Sequence, residues 1–223
     1  MLAFNEHTAQ SIDNYIEALF VPGDPVLEAN IDRADEAGLP PIQVTANQGK
    51  FLYLLVKIAG ARRVLEVGTL GGYSTTWMAR ALPEGGRLIT LEFSPKHAEV
   101  ATANLAAAGL ADVVEVRVGD AAVSLQAMVD AGEAPFDFIF LDADKSGYVK
   151  YLDLVMQLSR SGTVILADNI IRNGAVLEEN PVEAYDIGAK RYNAVLAADE
   201  RLESLALPMF KDKIDGIAIS RVK

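Results

Sequence analysis

The sequence predicts an α/β fold: a doubly wound, mostly parallel sheet with an antiparallel pair at its C-terminal edge and a helical cap at its N-terminus. Three observations carry this. Between residues 63 and 167, five short apolar runs alternate with stretches of helical spacing. Strands that are apolar throughout belong in a parallel sheet covered on both faces. The first 42 residues hold helical patterns alone, and two strand-like runs, 201–207 and 216–222, close the chain with a loop between them.

In SIDNYIEALF (11–20), Ile12, Tyr15, Ile16, Leu19 and Phe20 recur at the spacing of one helix face. Asp24-Pro25 is an N-cap followed by proline at the first helical position, and Gly38 with Pro40-Pro41 stops that second helix. TANQGKFLYLLVKIAG, from Thr45, is a third helix closed by Gly60. RVLEVG (63–68) then reads as a strand and GYSTTWMARAL (72–82) as a helix. RLITLE (87–92) is a strand, and Ser94-Pro95 opens a helix ending near Gly109. VVEVRV (113–118) is a strand, and Asp120 caps a helix to about Ala131. FDFIFL (136–141) is a strand, GYVKYLDLVMQLS (147–159) a helix and GTVILA (162–167) the fifth strand. A helix over about 181–198 precedes RLESLAL and GIAISRV, which a loop with Pro208 separates. No linker or repeat divides the chain, so residues 1–223 read as one Rossmann-like domain, a helical extension at 1–42 and a core at 43–223.

Lys and Arg total 20 against 31 Asp and Glu, a net charge of −11, which repels phosphate backbones and anionic lipid. Nucleic-acid and membrane-surface partners are therefore not expected. The lack of cysteine excludes disulfides, thiolate metal sites and a cysteine nucleophile, and two histidines, His7 and His97, are too few for a His-based zinc site. No apolar run approaches the ~20 residues of a membrane span, and the N-terminus lacks a basic-then-apolar signal, so a soluble, cytoplasmic protein is expected.

In an open α/β sheet, ligands bind beyond the carboxyl ends of the strands. All five predicted strands carry an acid there: Glu66, Glu92, Asp120, Asp142 and Asp168. One such acid is usually a helix cap or a turn; five converging on one rim point to a site. They would bind cations or accept hydrogen bonds from a ligand rich in hydroxyl and amino groups. After strand one, Gly68, Gly71 and Gly72 let backbone approach a ligand closely, but Leu70 stands where a dinucleotide fingerprint has its second glycine, and no lysine follows to hold phosphate. A nucleoside without phosphates fits better. Glu92, 24 residues beyond Gly68, suits ribose hydroxyls.

VLEVGTLGGYST, GDA at 119–121, FIFLDADKSGY and ADNIIRNG, in this order, resemble the cation-dependent S-adenosylmethionine O-methyltransferases, relatives of the caffeoyl-CoA and catechol enzymes. The resemblance runs from about Thr45 to the C-terminus, and DADK followed by DN 26 residues after Asp142 is its most specific part. It implies a cofactor set of Thr45, Gly49, Glu66, Gly68, Gly72, Tyr73, Ser74, Glu92, Asp120, Ala121 and Asp142. Within it, the loop from Gly68 to Ser74 meets the methionine part, Ser74 its carboxylate, Glu92 the ribose, and Asp120 and Ala121 the adenine. It further implies Asp142, Asp168 and Asn169 as ligands of a divalent cation (Mg²⁺ first, Mn²⁺ or Ca²⁺ otherwise), with Asp142 and Lys145 catalytic and Lys145 the general base. Two carboxylates and an amide oxygen suit a hard cation. A phenol near pKa 10 is ionised in only about one molecule in a thousand at neutral pH, a deficit that a Lewis acid and a nearby amine correct. The bland alternatives are a surface Lys145 paired with Asp144, Asp168-Asn169 as turn chemistry, Trp77 and the Tyr151/Leu152/Val155 stripe as helix core, and His97 as an exposed helix residue.

The plant enzymes carry an aromatic just after the second metal-binding pair; here Ile171 and Arg172 stand there. Arg172 either attracts an anionic substrate or sits on a solvated loop. With no basic cluster for the phosphates of a CoA thioester, the expected acceptor is a small catechol-like phenolic: a hydroxylated phenolic acid, a flavonoid or a secondary-metabolite intermediate. The alternatives are a CoA-thioester phenylpropanoid, an NAD-dependent oxidoreductase on the same fold, and a binding module without catalysis. The apolar stripe of the first helix predicts a homodimer.

Overall fold

The computed structural model describes residues 6–210 and 214–223. The readings that fall on residues 1–5, on the loop charges at 211–213 and on the side chain of His7 lie outside the described residues. Seven strands form one sheet in the order β3-β2-β1-β4-β5-β7-β6. β1 (Arg63–Val67), β2 (Arg87–Glu92), β3 (Val114–Val118), β4 (Phe136–Leu141) and β5 (Ser159–Ala167) pair in parallel. β7 (Ile214–Val222) runs antiparallel to β5, and β6 (Leu202–Phe210) antiparallel to β7 at the edge. The five alternating runs thus form the parallel sheet that their composition required, and the final pair completes it.

Eight helices surround the sheet among the described residues: α1 (Glu6–Phe20), α2 (Pro25–Glu36), α3 (Ala46–Ile58), α4 (Tyr73–Ala81), α5 (Pro95–Ala107), α6 (Ala121–Asp130), α7 (Tyr148–Gln157) and α8 (Ala184–Ala198). Side chains alternate across each strand, so the sheet feeds two cores. Leu65, Val67, Ile139 and Leu141 meet α6, α7 and α8 through Leu125, Leu152 and Tyr192. Val64, Leu88, Phe138 and Phe140 meet α3 and α4 through Leu52, Val56, Trp77 and Met78. The predicted caps hold. Asp24 accepts from the N–H groups of Val26 and Leu27, Ser94 from His97 and Asp120 from Val123, while Thr45 and Gln48 form a capping box.

The expected strand at 162–167 begins earlier, at Ser159, after a register shift opposite Phe136–Phe138. The last helix begins at Ala184, and the chain before it makes a 3-10 turn over Arg172–Leu177. β6 runs through Pro208, where the sequence reading ended the strand. It is an edge strand paired only with β7, so proline's missing N–H need cost no ladder bond. No helix among the described residues is long and apolar enough to cross a membrane.

Candidate active site at the carboxyl ends of the strands

The sheet order reverses between β1 and β4, and a crevice opens at such a point. A cavity of about 910 Å³ lies there, within the ~300–1,000 Å³ usual for ligand sites. The loop after β1 and the loop after β4 touch: a Cβ on Gly68 would lie 2.1 Å from the carbonyl oxygen of Asp142. Only glycine permits this approach, at a φ of +103° that other residues avoid. Leu70, at the position of the missing fingerprint glycine, takes φ +50° despite its side chain.

Carboxylates pin this loop. Glu92 Oε2 accepts from the backbone N–H groups of Thr69 (3.1 Å) and Leu70 (2.9 Å), and Oε1 accepts from Ser94 N–H at 2.9 Å. His97 Nδ1 stands 3.3 Å from Oε1, so His97 is a half-buried neighbour of Glu92 in the cavity wall, not an exposed helix residue. Beneath the loop, fully buried Glu66 accepts from Ser74 (2.6 Å), Thr75 (2.5 Å) and Thr90 (2.7 Å). Burial pushes its carboxyl up to about 7, against the three hydroxyls that favour its ionised form. From outside, Asn104 Nδ2 donates to Gly71 O at 2.8 Å and to Asn30 Oδ1 at 2.9 Å, tying the loop to α2 and α5.

At the other side, β4 runs into a 3-10 turn, Lys145–Gly147, capped by Asp144. Lys145 is buried, at 5% exposure, and its Nζ lies 2.9 Å from Asp142 Oδ1. It does not pair with Asp144, whose carboxylate accepts instead from Ser146, Tyr151 and Gly147 N–H. The ammonium sits 5.1 Å over the ring of Tyr148, whose hydroxyl lies within hydrogen-bond distance of Leu141 O (2.9 Å) and Asp168 O (3.0 Å). α8 packs on the turn so closely that a Cβ on Gly188 would meet Lys145 O at 2.2 Å.

Asp168 is buried, and its Oδ1 accepts from Asn169 N–H at 2.7 Å. Asn169 has φ +56°, a conformation Asn tolerates. Burial, and then the charge of Asp142, hold the Asp168 carboxyl well above the usual range. Such an acidic pair carries a charge excess that a divalent cation relieves, and the donor set of Asp142, Asp168 and Asn169 is all oxygen. The residues fit such an ion. Among the described residues no three His, Cys, Asp or Glu are grouped to hold a metal, so the third donor would be the Asn169 amide.

The cavity wall contains Thr45, Gly68, Tyr73, Ser74, Glu92, Asp120, Ala121, Asp142, Lys145, Asp168, Asn169 and Arg172. Three residues expected at the cofactor stand behind the wall instead. Gly49 makes room for Trp77, whose indole nitrogen a Cβ would meet at 2.2 Å. Glu66 lies under the loop, and Gly72 starts α4 with left-handed φ +81° against Ala101. The sequence reading missed Asp215. It lies in the wall, 6% exposed, and its Oδ1 accepts from the N–H groups of Ile171, Arg172 and Gly216 at 3.0–3.1 Å. Asp215-Gly216 reads locally as a turn, and nothing nearby in sequence announces its partners. Tyr151, expected as core, also reaches the wall.

Comparison with known proteins agrees with this geometry. A family model described as O-methyltransferase matches residues 24–223. A catechol O-methyltransferase of Niastella koreensis is 49% identical over 220 residues, 98% of this chain and 100% of the relative. The structure of an O-methyltransferase from Bacillus cereus in complex with SAH superposes with a TM-score of 0.96 at 43% identity, covering 98% of this chain and 100% of that one. That of TomG, an O-methyltransferase from Streptomyces achromogenes solved with SAM, does so at 0.94 and 37% identity, covering 99% and 100%. These matches replace the oxidoreductase reading of the same fold. The chain belongs to the S-adenosylmethionine-dependent O-methyltransferase family.

Proposed function

We propose that this chain transfers the methyl group of S-adenosylmethionine to one hydroxyl of a vicinal pair on a small catechol-like phenolic, at a site that also holds a divalent cation. One observation carries the reading. The Gly68 loop, the buried Lys145–Asp142 pair and the Asp168–Asn169 corner share one cavity. Thr45, Gly68, Tyr73 and Ser74 surround the methionine part, and Asp120 and Ala121 the adenine. Three backbone donors fix Glu92, which lines the cavity where the ribose hydroxyls would lie.

Asp142, Asp168 and Asn169 would hold a divalent cation, which would supply the Lewis acidity that favours an ionised acceptor hydroxyl. Lys145 Nζ, buried beside Asp142, is placed to take the acceptor's proton when it stands as the neutral amine. Displacement at the sulfonium carbon needs the attacking oxygen, carbon and sulfur in line, so the rest of the wall acts by positioning. A CoA-thioester acceptor fits less well: Lys145 and Arg172 are the wall's only Lys and Arg among the described residues, and both are ion-paired. We further propose that a second copy covers α1, where Ile12, Tyr15, Leu19 and Phe20 are 50–65% exposed on one helix.

The test pairs binding with turnover. Electron paramagnetic resonance should count one bound Mn²⁺ per chain and none in Asp168→Ala, and methyl transfer to catechol should stop in that variant and in chelator. A variant that keeps both the ion and the turnover would overturn the assignment.

A further inference from the structure

Strands β4 and β5 stay paired as far as Leu141 opposite Ala167, where the ladder between them ends. Each strand then delivers one carboxylate to the cavity, Asp142 and Asp168. The amino side of both loops is tied to the sheet: Asp142 N–H donates to Val67 O at 2.8 Å, and Asp168 N–H to Leu141 O at 3.0 Å. Past these bonds one chain enters the 3-10 turn Lys145–Gly147, and the other passes through Asn169 at φ +56°.

One side chain bridges the split. Tyr148 Oη lies 2.9 Å from Leu141 O and 3.0 Å from Asp168 O. A phenol has one proton to give and a carbonyl only accepts, so a single donor serves both chains and holds them within reach of one atom. The phenol is itself firmly seated. It is fully buried, its ring stands edge-on to Tyr192 at a centroid distance of 5.3 Å, and its backbone N–H donates to Lys145 O. Tyr148 is not among the residues that line the cavity, so it acts there only through others. Filling the core does not by itself call for the hydroxyl. Tyr192 is equally buried, and its hydroxyl has no hydrogen-bond partner among the described residues.

Resting on the function proposed above, we infer that Tyr148 is a positioning residue for the cation. Its hydroxyl clips the Leu141 and Asp168 carbonyls together and so sets the separation of the Asp142 and Asp168 carboxylates before any ion arrives. Mg²⁺ tolerates little departure from octahedral geometry, so two carboxylates that repel each other serve it only when their spacing is imposed from outside. Groups that orient metal ligands in this way are typically worth about 10- to 100-fold in metal affinity.

The experiment titrates Mn²⁺ by electron paramagnetic resonance into the intact chain and three variants, well below their Tm, with S-adenosylhomocysteine binding by calorimetry alongside. Tyr148→Phe keeps the ring under Lys145 and removes only the clip. It should weaken Mn²⁺ binding about 10- to 100-fold and leave S-adenosylhomocysteine binding as it was. Tyr192→Phe removes a buried hydroxyl from the same cluster and should change neither. Tyr148→4-aminophenylalanine puts N–H donors back at the same place and should bind Mn²⁺ as the intact chain does; it decides the matter alone if the Phe variant does not fold. A Tyr148→Phe chain with a lowered Tm but an unchanged Mn²⁺ Kd would show a merely structural tyrosine and overturn the inference. So would equal weakening of both ligands, equal weakening in Tyr192→Phe, or a 4-aminophenylalanine variant that binds Mn²⁺ poorly. In each of these cases Mn²⁺ on the intact chain leaves the cation reading standing. An intact chain that binds no Mn²⁺ would overturn that reading and the inference with it.

Discussion

Gly188→Ala tests whether α8 sets the position of the proposed base, Lys145. The added Cβ would lie 2.2 Å from Lys145 O, 2.6 Å from its carbonyl carbon and 2.8 Å from Ser146 Cα, all of them backbone atoms that no rotamer change can clear. Ordinary contact begins at 3.4 Å, so helix and turn must part by about 1.2 Å. Overpacking of this kind costs about 1–3 kcal/mol, or roughly 2–4 °C of Tm per kcal/mol for a chain of this size. Intrinsic helix propensity, which favours Ala over Gly by about 1 kcal/mol, works against that loss. The functional effect should be larger. Lys145 is anchored through its own backbone, and a shift near 1 Å in a positioned group can cost ~10²-fold in rate. Thermal unfolding, kcat and KM for S-adenosylmethionine, measured well below Tm, separate the two effects. A fall in kcat with an unchanged cofactor KM is expected. Full activity, or a Tm raised by the propensity gain alone, would refute the argument that α8 seats the lysine.

Glu66 gives the pH prediction. Its folded pKa of about 7 lies above the ordinary 4.5 of a glutamate, so the folded state holds its proton more tightly. Stability is then lost as pH rises from 4.5 to 7 and stays level above, by on the order of 3 kcal/mol. Urea unfolding of Glu66→Gln should show a stability difference that moves in favour of Gln across that window; a constant difference would contradict the assignment. Asn104→Ala leaves Gly71 O and Asn30 Oδ1 without a buried donor, at about 1–3 kcal/mol. It should lower Tm and weaken S-adenosylhomocysteine binding by calorimetry, because the glycine loop loses its outer tether. Light scattering should give about twice the chain mass of 23.9 kDa, and the monomer mass in Leu19→Glu; a monomer in the intact chain would sink the dimer.

The parallel sheet was legible because five apolar runs with capped helices between them leave few other arrangements. The rim was legible for the same reason: fixed strand direction places Glu66, Glu92, Asp120, Asp142 and Asp168 at one end. What stayed hidden depends on contacts between distant residues. Asp215 holds the Ile171–Arg172 corner from the neighbouring strand β7, 44 and 43 residues further along the chain, and Asn104 reaches Gly71 across 33 residues. Arg172 could be placed near the site, but its charge could not be judged without Asp186 and Tyr185, which arrive from α8. Glu66 looked like a ligand group by its strand-end position, yet period-two alternation turns it beneath the loop. One hidden contact did leave a signal. A glycine inside the predicted helix at 181–198 costs about 1 kcal/mol against alanine, which asks for a packing reason.

The central proposal is methyl transfer to a vicinal diol at a site where Asp142, Asp168 and Asn169 would hold a divalent cation. Initial rates of transfer from labelled S-adenosylmethionine to catechol and to phenol, each with Mg²⁺ and with chelator, test it most directly. The account predicts a monomethylated product from catechol with Mg²⁺ alone, and none from phenol. Comparable methylation of phenol, undiminished by chelator, would contradict it.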